Sequence, residues 1–369
     1  TDAEPDEVRT IFRRARVIGR RFRLVHVRVG RDVVEVSTYR AAPKRGSAGF
    51  EAHAEQGRIL RDNVFGTRDD DARRRDFSIN ALYYDPVENV VIDYVDGFSD
   101  LQRHLLRVIG DPIRRFEEDP VRMLRAVRFA VRLNLRMERR IESVLPDLAG
   151  LLVHVPPARL FDEVLKIFHG GHGYAAYEQL QRFGLLAELF PESVRAHTKV
   201  DLDPDHGLVS LALRNTDHRL AGGQPVIPAF LFAVMLWRAV CLETDQNQHR
   251  GMAPVQSLHR AISTVIGRQQ QRVTISRRVA TTMFDMWNLQ HWLLERRPRL
   301  VPKTLAHKRF RAAYDFLMLR ISAGEATAEV GTWWTRIQEV DGPTRRKMIT
   351  ELTVPQKRGR PRHRRRKTA

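Results

Sequence analysis

The chain has 369 residues, of which 43% are hydrophobic and 29% charged, and its 63 Lys and Arg against 44 Asp and Glu give a formal net charge of +19. This composition fits a globular protein of two or three domains, and the positive excess favours a polyanionic partner, nucleic acid before membrane. The single cysteine, Cys241, excludes an intramolecular disulfide and a four-cysteine zinc site, and the longest apolar run, Val226–Trp237, is too short to span a bilayer.

The first 110 residues mix helix and strand patterns. Pro5–Arg16 is predicted to form a short helix. Its apolar side would consist of Val8, Ile11 and Phe12. Leu24–Val29 and Val33–Tyr39 alternate as two strands joined by the turn Gly30-Arg31-Asp32. Leu82–Tyr84 and Val90–Tyr94 predict two further strands.

Two stretches between these strands show no regular spacing of apolar residues. Arg40–Gly57 is rich in Gly, Ala and charge and is predicted to be a mobile loop. Thr67 precedes the acidic triplet Asp69–Asp71, which suggests either a metal site or a helix start. An N-cap followed by carboxylates in the first helical turn explains the same residues more simply, so we favour the cap.

The stretch Arg74–Ala81 has the residues for holding a nucleotide sugar. If a helix starts at Asp76, Asn80 lies four residues on and faces the same way. The carboxylate accepts hydrogen bonds, the amide both donates and accepts, and Arg74 and Arg75 suit phosphate oxygens. The alternative is a capped helix with solvated arginines.

A strong helix start follows at Glu118-Asp119-Pro120. Val121–Leu133 would bury one apolar face. That face consists of Leu124, Val127, Ala130 and Val131. The other side carries a basic stripe of Arg122, Arg125, Arg128 and Arg132, and such a stripe is most often a solvated face.

The remainder to about residue 350 is predicted to be helical. The predicted helices are Arg159–Phe168, Tyr174–Phe183, Leu185–Phe190, Ile227–Val240, Arg277–Leu294 and His307–Ser322. Ala196–Pro228 is broken by Pro and Gly and is interpreted as a boundary. The pair Trp333-Trp334 could stack RNA bases, but such pairs are more often core, which we favour.

The last residues, Gln356–Ala369, cannot pack, because they contain no apolar residue beyond Pro361 and Ala369; the tail is predicted to be disordered. Its eight positive charges are Lys357, Arg358, Arg360, Arg362, Arg364, Arg365, Arg366 and Lys367. Basic tails bind phosphate backbones without sequence choice, so these arginines, with Arg128 and Arg132, are candidate RNA contacts.

The motif Arg-Arg-Asp-Phe-Ser-Ile-Asn-Ala-Leu-Tyr-Tyr at 74–84 resembles the ribose-reading motif of class II tRNA nucleotidyltransferases and bacterial poly(A) polymerases. Nearly the whole chain is similar to this family, and the basic tail favours its poly(A) polymerases. The resemblance implies an α+β fold: a partial nucleotidyltransferase head at 1–110 with a truncated sheet, a base-reading neck at 111–195, a helical RNA-binding body at 196–352 and the tail at 353–369.

The resemblance also implies roles for individual residues. Glu118, Asp119, Arg122 and Arg125 match the family's Glu-Asp-x-x-Arg-x-x-Arg motif, in which the Asp and the first Arg pair with the incoming base. Adenine and cytosine both offer an amine donor beside a ring-nitrogen acceptor, so Asp119 and Arg122 would select ATP and CTP over GTP and UTP. Arg125 would support them. Glu35 would be a catalytic candidate beside Asp76, with Arg75 and Asn80 positioning sugar and triphosphate.

One part of the family pattern is not matched. The family's Gly-Gly-x-Val-Arg-Asp loop and Asp-x-Asp pair, which bind Mg²⁺, precede the segment that Thr1–Pro5 matches, and Asp2 is not their equivalent. We therefore expect the chain as given to be catalytically incomplete, with no certain metal ligand and Glu35 as the one candidate.

The function implied by the resemblance is template-independent addition of AMP from ATP to RNA 3′ ends, marking RNA for decay in the cytoplasm. The RNA could be mRNA, small RNA or tRNA, and RNA-decay proteins are candidate partners. A CCA-adding tRNA nucleotidyltransferase is the nearest alternative. A non-catalytic RNA-binding protein that kept the scaffold is the alternative of another class.

Overall fold

The computed structural model describes residues 1–19, 23–41, 64–196 and 205–352. It confirms the α+β class: small sheets near the N-terminus and helices from there on. Two compact units are present, one holding Thr1–Arg195, Leu213–Val226 and Gly267–Ile275, the other the remaining residues. Most of the predicted loop at 40–57 and the whole predicted tail lie outside the described residues.

Helix α1 (Pro5–Ile11) leads into an antiparallel sheet of β1 (Ala15–Ile18), β2 (Leu24–Val29) and β3 (Asp32–Val36). The helix predicted to reach Arg16 was too long, because Ala15–Ile18 pairs with β2 instead. The predicted apolar side was also wrong. Val8 is buried, whereas Ile11 and Phe12 are 68% and 44% exposed.

Helix α2 (Arg68–Arg74) begins at Thr67 as predicted. The Thr67 hydroxyl accepts from the Asp70 backbone N–H at 3.2 Å, and the Asp70 carboxylate accepts from the Thr67 N–H at 2.9 Å. Such a reciprocal pair satisfies two of the donors that a helix start leaves open. The capping interpretation is therefore confirmed, although Asp71 of the same triplet is buried and has other contacts, given below.

A hairpin and a two-residue parallel pairing complete the sheet structure of the first unit. The hairpin is β4 (Leu82–Asp85) and β5 (Val90–Asp93); after α3 (Gly97–Gln102), β6 (Leu105–Leu106) pairs in parallel with β7 (Arg136–Met137). Only glycine fits at 97, because a Cβ there would lie 2.2 Å from the Ser78 carbonyl oxygen. This close approach packs α3 against the turn that follows Asp76.

Helix α4 (Pro112–Glu118) is followed at once by α5 (Val121–Arg132), whose predicted apolar face is largely confirmed. Leu124 and Val127 are fully buried and Ala130 is nearly so. Further helices that lie wholly or partly in this unit are α6 (Arg139–Glu142), α7 (Leu145–Leu148), α8 (Pro157–Phe168), α9 (Gly173–Arg182), α10 (Leu185–Leu189), α11 (Pro191–Ala196) and α12 (Leu208–Ala221).

The rest of the described chain is helical, as predicted; the helix predicted at Ile227–Val240 continues to His249, and the one predicted at His307–Ser322 begins only at Phe310. Its helices are α13 (Pro228–His249), α14 (Pro254–Gln270), α15 (Arg277–Glu295), α16 (Val301–Leu305), α17 (Phe310–Ser322), α18 (Ala328–Glu339) and α19 (Gly342–Glu351). Helix α12 lies inside the stretch Ala196–Pro228, which its Pro and Gly had led us to interpret as a boundary. Helices α14, α16, α18 and α19 were not predicted individually.

The second unit has its own apolar core. Trp334 is fully buried, its indole N–H donates to the Leu293 carbonyl at 2.8 Å, and Trp333 packs against the same cluster half-buried. The prediction that the tryptophan pair belongs to the core, rather than stacking on RNA bases, is therefore confirmed for Trp334. Of the helices that the structure describes, none combines the length and apolarity that crossing a membrane requires.

Candidate nucleotide site

An arginine-rich cleft of about 690 Å³ opens in the first unit and gathers residues from five segments of the chain. Six arginines line it: Arg40, Arg74, Arg75, Arg122, Arg125 and Arg159. Three carboxylates line it as well: Asp71, Asp76 and Asp119. The excess of positive side chains in a concave wall raises the potential for an anion well above that of a single exposed arginine.

The turn after Asp76 is built differently from the prediction. Asp76 does not start an α-helix; Phe77 is extended and only Ser78–Asn80 forms one 3₁₀ turn. Phe77 is held extended because it bridges to Val108 and buries its ring against Phe129, with 5.7 Å between centroids. The expected pairing still forms, since the Asn80 amide donates to Asp76 Oδ1 at 3.0 Å.

The Asp76 carboxylate is fully engaged on this turn. Its Oδ1 also accepts from the Phe77 N–H at 2.9 Å, and its Oδ2 accepts from Arg125 Nε and Nη2, both at 2.6 Å. The side chain of Asp76 is 11% exposed and that of Arg125 32% exposed. Asp76 therefore joins the predicted sugar-reading turn to helix α5 and orients the amide of Asn80, which lines the cleft.

Asp71 fixes Arg75 at the edge of the cleft. The Asp71 carboxylate accepts from Arg75 Nε and Nη2 at 3.1 and 3.0 Å, from the Tyr83 hydroxyl at 2.8 Å and from the Arg40 N–H at 3.2 Å. Burial by itself lowers the pKa of the Arg75 guanidinium, but Tyr83 and Asp71 outweigh it and raise the pKa above its ordinary value. Burial and donation to Asp71 raise the pKa of the Tyr83 phenol, which keeps it protonated as a donor.

The predicted base-reading pair lines the same cleft. Asp119 Oδ1 accepts from the Val121 N–H at 3.2 Å, and its Oδ2 accepts from Arg159 Nη2 of α8 at 2.6 Å. Arg122 uses one nitrogen, Nη1, for both the Arg115 carbonyl at 2.7 Å and Glu118 at 3.0 Å. A guanidinium has five N–H donors, so Arg122 can hold these partners and still donate to a base.

The basic stripe on α5 is not a solvated face. Arg122 and Arg125 pair with carboxylates as above, and Arg128 Nε donates to Glu163 Oε1 at 2.6 Å with a side chain that is only 11% exposed. Arg132 alone of the four is exposed. The RNA contacts predicted for Arg128 and Arg132 stay predictions, and the contact geometry favours Arg132.

The structure does not bring Glu35 to the cleft. Glu35 lies on β3 opposite His26, 3.3 Å from its Nε2, and its side chain is 67% exposed. Nor do the cleft carboxylates fit a magnesium site, because each of Asp71, Asp76 and Asp119 is already paired with an arginine, whose positive charge opposes a cation. Within the described ranges no three His, Cys, Asp or Glu residues come together as metal ligands. The catalytic role of Glu35 stays a prediction.

Sequence reasoning missed three of the charged residues that line this cleft: Arg40, Asp71 and Arg159. The Asp71–Arg75 pair had a readable signal, since the two lie four residues apart at the end of one helix. Arg40 and Arg159 had none, because their partners Asp71 and Asp119 lie 31 and 40 residues away in the chain.

Three family models match the chain in the order of its segments. They are described as the poly A polymerase head domain at residues 1–107, the probable RNA and SrmB-binding site of polymerase A at 134–196, and the polymerase A arginine-rich C-terminus at 250–368.

Known proteins resemble this chain at different levels of sequence identity. Poly(A) polymerase I of Salmonella typhi is 40% identical over 95% of this chain and 77% of its own length. A CCA-adding enzyme of Lactobacillus helveticus is 33% identical over 48% of this chain and 42% of its own length. A solved tRNA-processing enzyme shares the fold, with a TM-score of 0.61 at 19% identity over 96% of this chain and 87% of that one.

Proposed function

We infer that this chain, which belongs to the family of bacterial poly(A) polymerase I, adds AMP from ATP to RNA 3′ ends without a template. The observation that carries the inference is the cleft, because the Asp119 carboxylate, the Asn80 amide and six arginines line it together. A nucleoside triphosphate offers a base amine, ribose hydroxyls and phosphate oxygens, to which these three kinds of group can bind. CCA addition is the weaker alternative, because the CCA-adding relatives match only about half of the chain.

The roles within the cleft follow from the contacts. Arg74 and Arg75 would hold triphosphate oxygens, with Arg75 kept charged and oriented by Asp71. Asn80, oriented by Asp76, would donate to a ribose hydroxyl. Asp119 would accept from the amine of adenine with its remaining lone pairs, and Arg122 would donate to the ring nitrogen.

RNA would enter as a second polyanion. The basic tail at 356–369 and the exposed Arg132 would contact RNA phosphates. After poly(A) addition, RNA-decay proteins would act on the tailed RNA. The Mg²⁺ that nucleotidyl transfer uses would neutralise charge on the triphosphate. The described residues of this chain supply binding, orientation and base choice.

Substrate choice is the first test. The full-length protein is expected to extend an unstructured RNA with ATP far better than with CTP, because the sequence and the relatives both favour poly(A) addition. The measurement is incubation with each nucleotide singly, on generic RNA and on tRNA that lacks its CCA end. Addition that stops at CCA, and on tRNA only, would contradict the proposal.

Salt dependence tests the RNA side. Affinity for single-stranded RNA is expected to fall steeply with salt. Deleting residues 356–369 should reduce the slope of log affinity against log salt concentration by up to about five to six, because the tail's eight positive charges could make eight phosphate contacts. The measurement is an RNA-binding titration at several salt concentrations. As a control, Arg132→Gln should change the slope by no more than about 0.7. An unchanged slope after the deletion would show that the tail makes no phosphate contacts.

A further inference from the structure

We propose that Arg115 is a positioning residue that couples the phosphate-reading and base-reading halves of the cleft. It connects the backbone that carries Arg74 and Arg75 to Glu118, the carboxylate that holds Arg122. The proposal rests on the proposed function, because it concerns which base this cleft accepts.

The Arg115 side chain contacts both halves at once. It lies on α4 and is 14% exposed. Its Nη2 donates to the carbonyl oxygens of Arg74 and Arg75 at 2.5 and 2.6 Å, and its Nη1 donates to Glu118 Oε2 at 2.7 Å. These carbonyls precede the sugar-reading turn directly, so one guanidinium fixes the start of that turn from 40 residues away in the chain.

Glu118 completes the connection. The same oxygen, Oε2, accepts from Arg115 and from Arg122, the latter at 3.0 Å. Arg122 also donates to the backbone carbonyl of Arg115 at 2.7 Å. Arg122 is therefore held by two acceptors, both of which depend on where Arg115 places helix α4.

The electrostatics explain why a carboxylate is shared. Arg115 and Arg122 each expose 14% of their side chains, and they lie side by side. Burial, and then repulsion from Arg122, lower the pKa of the Arg115 guanidinium. Glu118 offsets this repulsion for both arginines, so removing its charge should release Arg122 from its place.

Neither Arg115 nor Glu118 lines the cleft. Both would act on a nucleotide only through Arg122 and through the backbone at Arg74–Arg75. A planar guanidinium can serve two carbonyls and a carboxylate in fixed directions, whereas a lysine ammonium cannot. Because base selection depends on hydrogen-bond geometry, small shifts of Arg122 should change the preference for ATP over GTP without disturbing the fold.

The experiment compares Arg115→Met, Glu118→Gln and the double variant in the full-length protein. The measured quantities are the dissociation constants for ATP, GTP and inorganic triphosphate. Glu118→Gln is expected to narrow the ATP-over-GTP preference by roughly five- to tenfold and to leave triphosphate affinity within about twofold. Arg115→Met is expected to narrow the preference similarly and also to weaken triphosphate binding, and the double variant should match Arg115→Met.

Arg114→Met is the matched control, because Arg114 is the exposed neighbour on the same helix, and it should change none of the three constants. An unchanged preference in Glu118→Gln would overturn the proposal even if Arg115→Met failed to fold, since the Glu118 side chain is 48% exposed and its exchange for Gln should leave the fold intact. Additive losses in the double variant would overturn it too. If the unmodified protein bound ATP and GTP equally, the proposed function itself would be wrong.

Discussion

Asp119→Ala is expected to abolish most of the preference for ATP over GTP while leaving RNA affinity unchanged. One lost hydrogen bond to a charged group is worth about 1.5–3 kcal/mol, which is roughly ten- to a hundredfold in preference. Asp119 lines the cleft and its carboxylate is oriented by Arg159 at 2.6 Å, so the carboxylate is in place before a base arrives. The preference is measured from kcat/KM for each nucleotide in the full-length protein.

The matched control is Glu117→Ala, an exposed carboxylate two residues earlier. It should keep the preference of the unmodified protein, since it does not line the cleft. If Asp119→Ala also kept the full preference, Asp119 would only stabilise the start of α5 through the Val121 N–H, and the assignment of the base reader would be wrong.

Arg125→Ala is expected to lower the free energy of unfolding by about 2–3 kcal/mol, because it leaves the Asp76 carboxylate, whose side chain is 11% exposed, without its charged partner. The turn that carries Asn80 should loosen at the same time, so ATP binding should weaken as well. Urea denaturation measures the first effect, as a lower midpoint at unchanged slope, and a nucleotide titration measures the second.

A second substitution separates the lost pair from simple loss of side-chain packing. Asp76→Asn together with Arg125→Ala should recover part of the stability, because no buried charge is then left unpaired. Arg132→Ala, on the same helix but exposed, should change stability by less than about 0.5 kcal/mol. Equal losses in Arg125→Ala and Arg132→Ala would show that the contact with Asp76 stabilises nothing.

Much of the local structure could be predicted because its causes are local. Thr67 and Asp70 are three residues apart and cap a helix wherever that helix lies. The α5 face and the burial of Trp334 followed from spacing and apolarity. The error at the N-terminus arose because the prediction used only local pattern. Pro5–Arg16 has a helical pattern, but Ala15–Ile18 pairs with β2 instead, since tertiary contacts outweigh weak propensities.

The sequence by itself determined the family and the class of fold, because the motifs at 74–84 and 118–125 are runs of neighbouring residues that can be recognised without the tertiary structure. The base-reading roles of Asp119 and Arg122 stay predictions. Only the tertiary structure decided which groups are free to meet a nucleotide. It paired Asp76 with Arg125 across 49 residues and Asp119 with Arg159 across 40. Such pairs depend on how distant helices pack, and no spacing along the chain encodes the direction in which a packed side chain points.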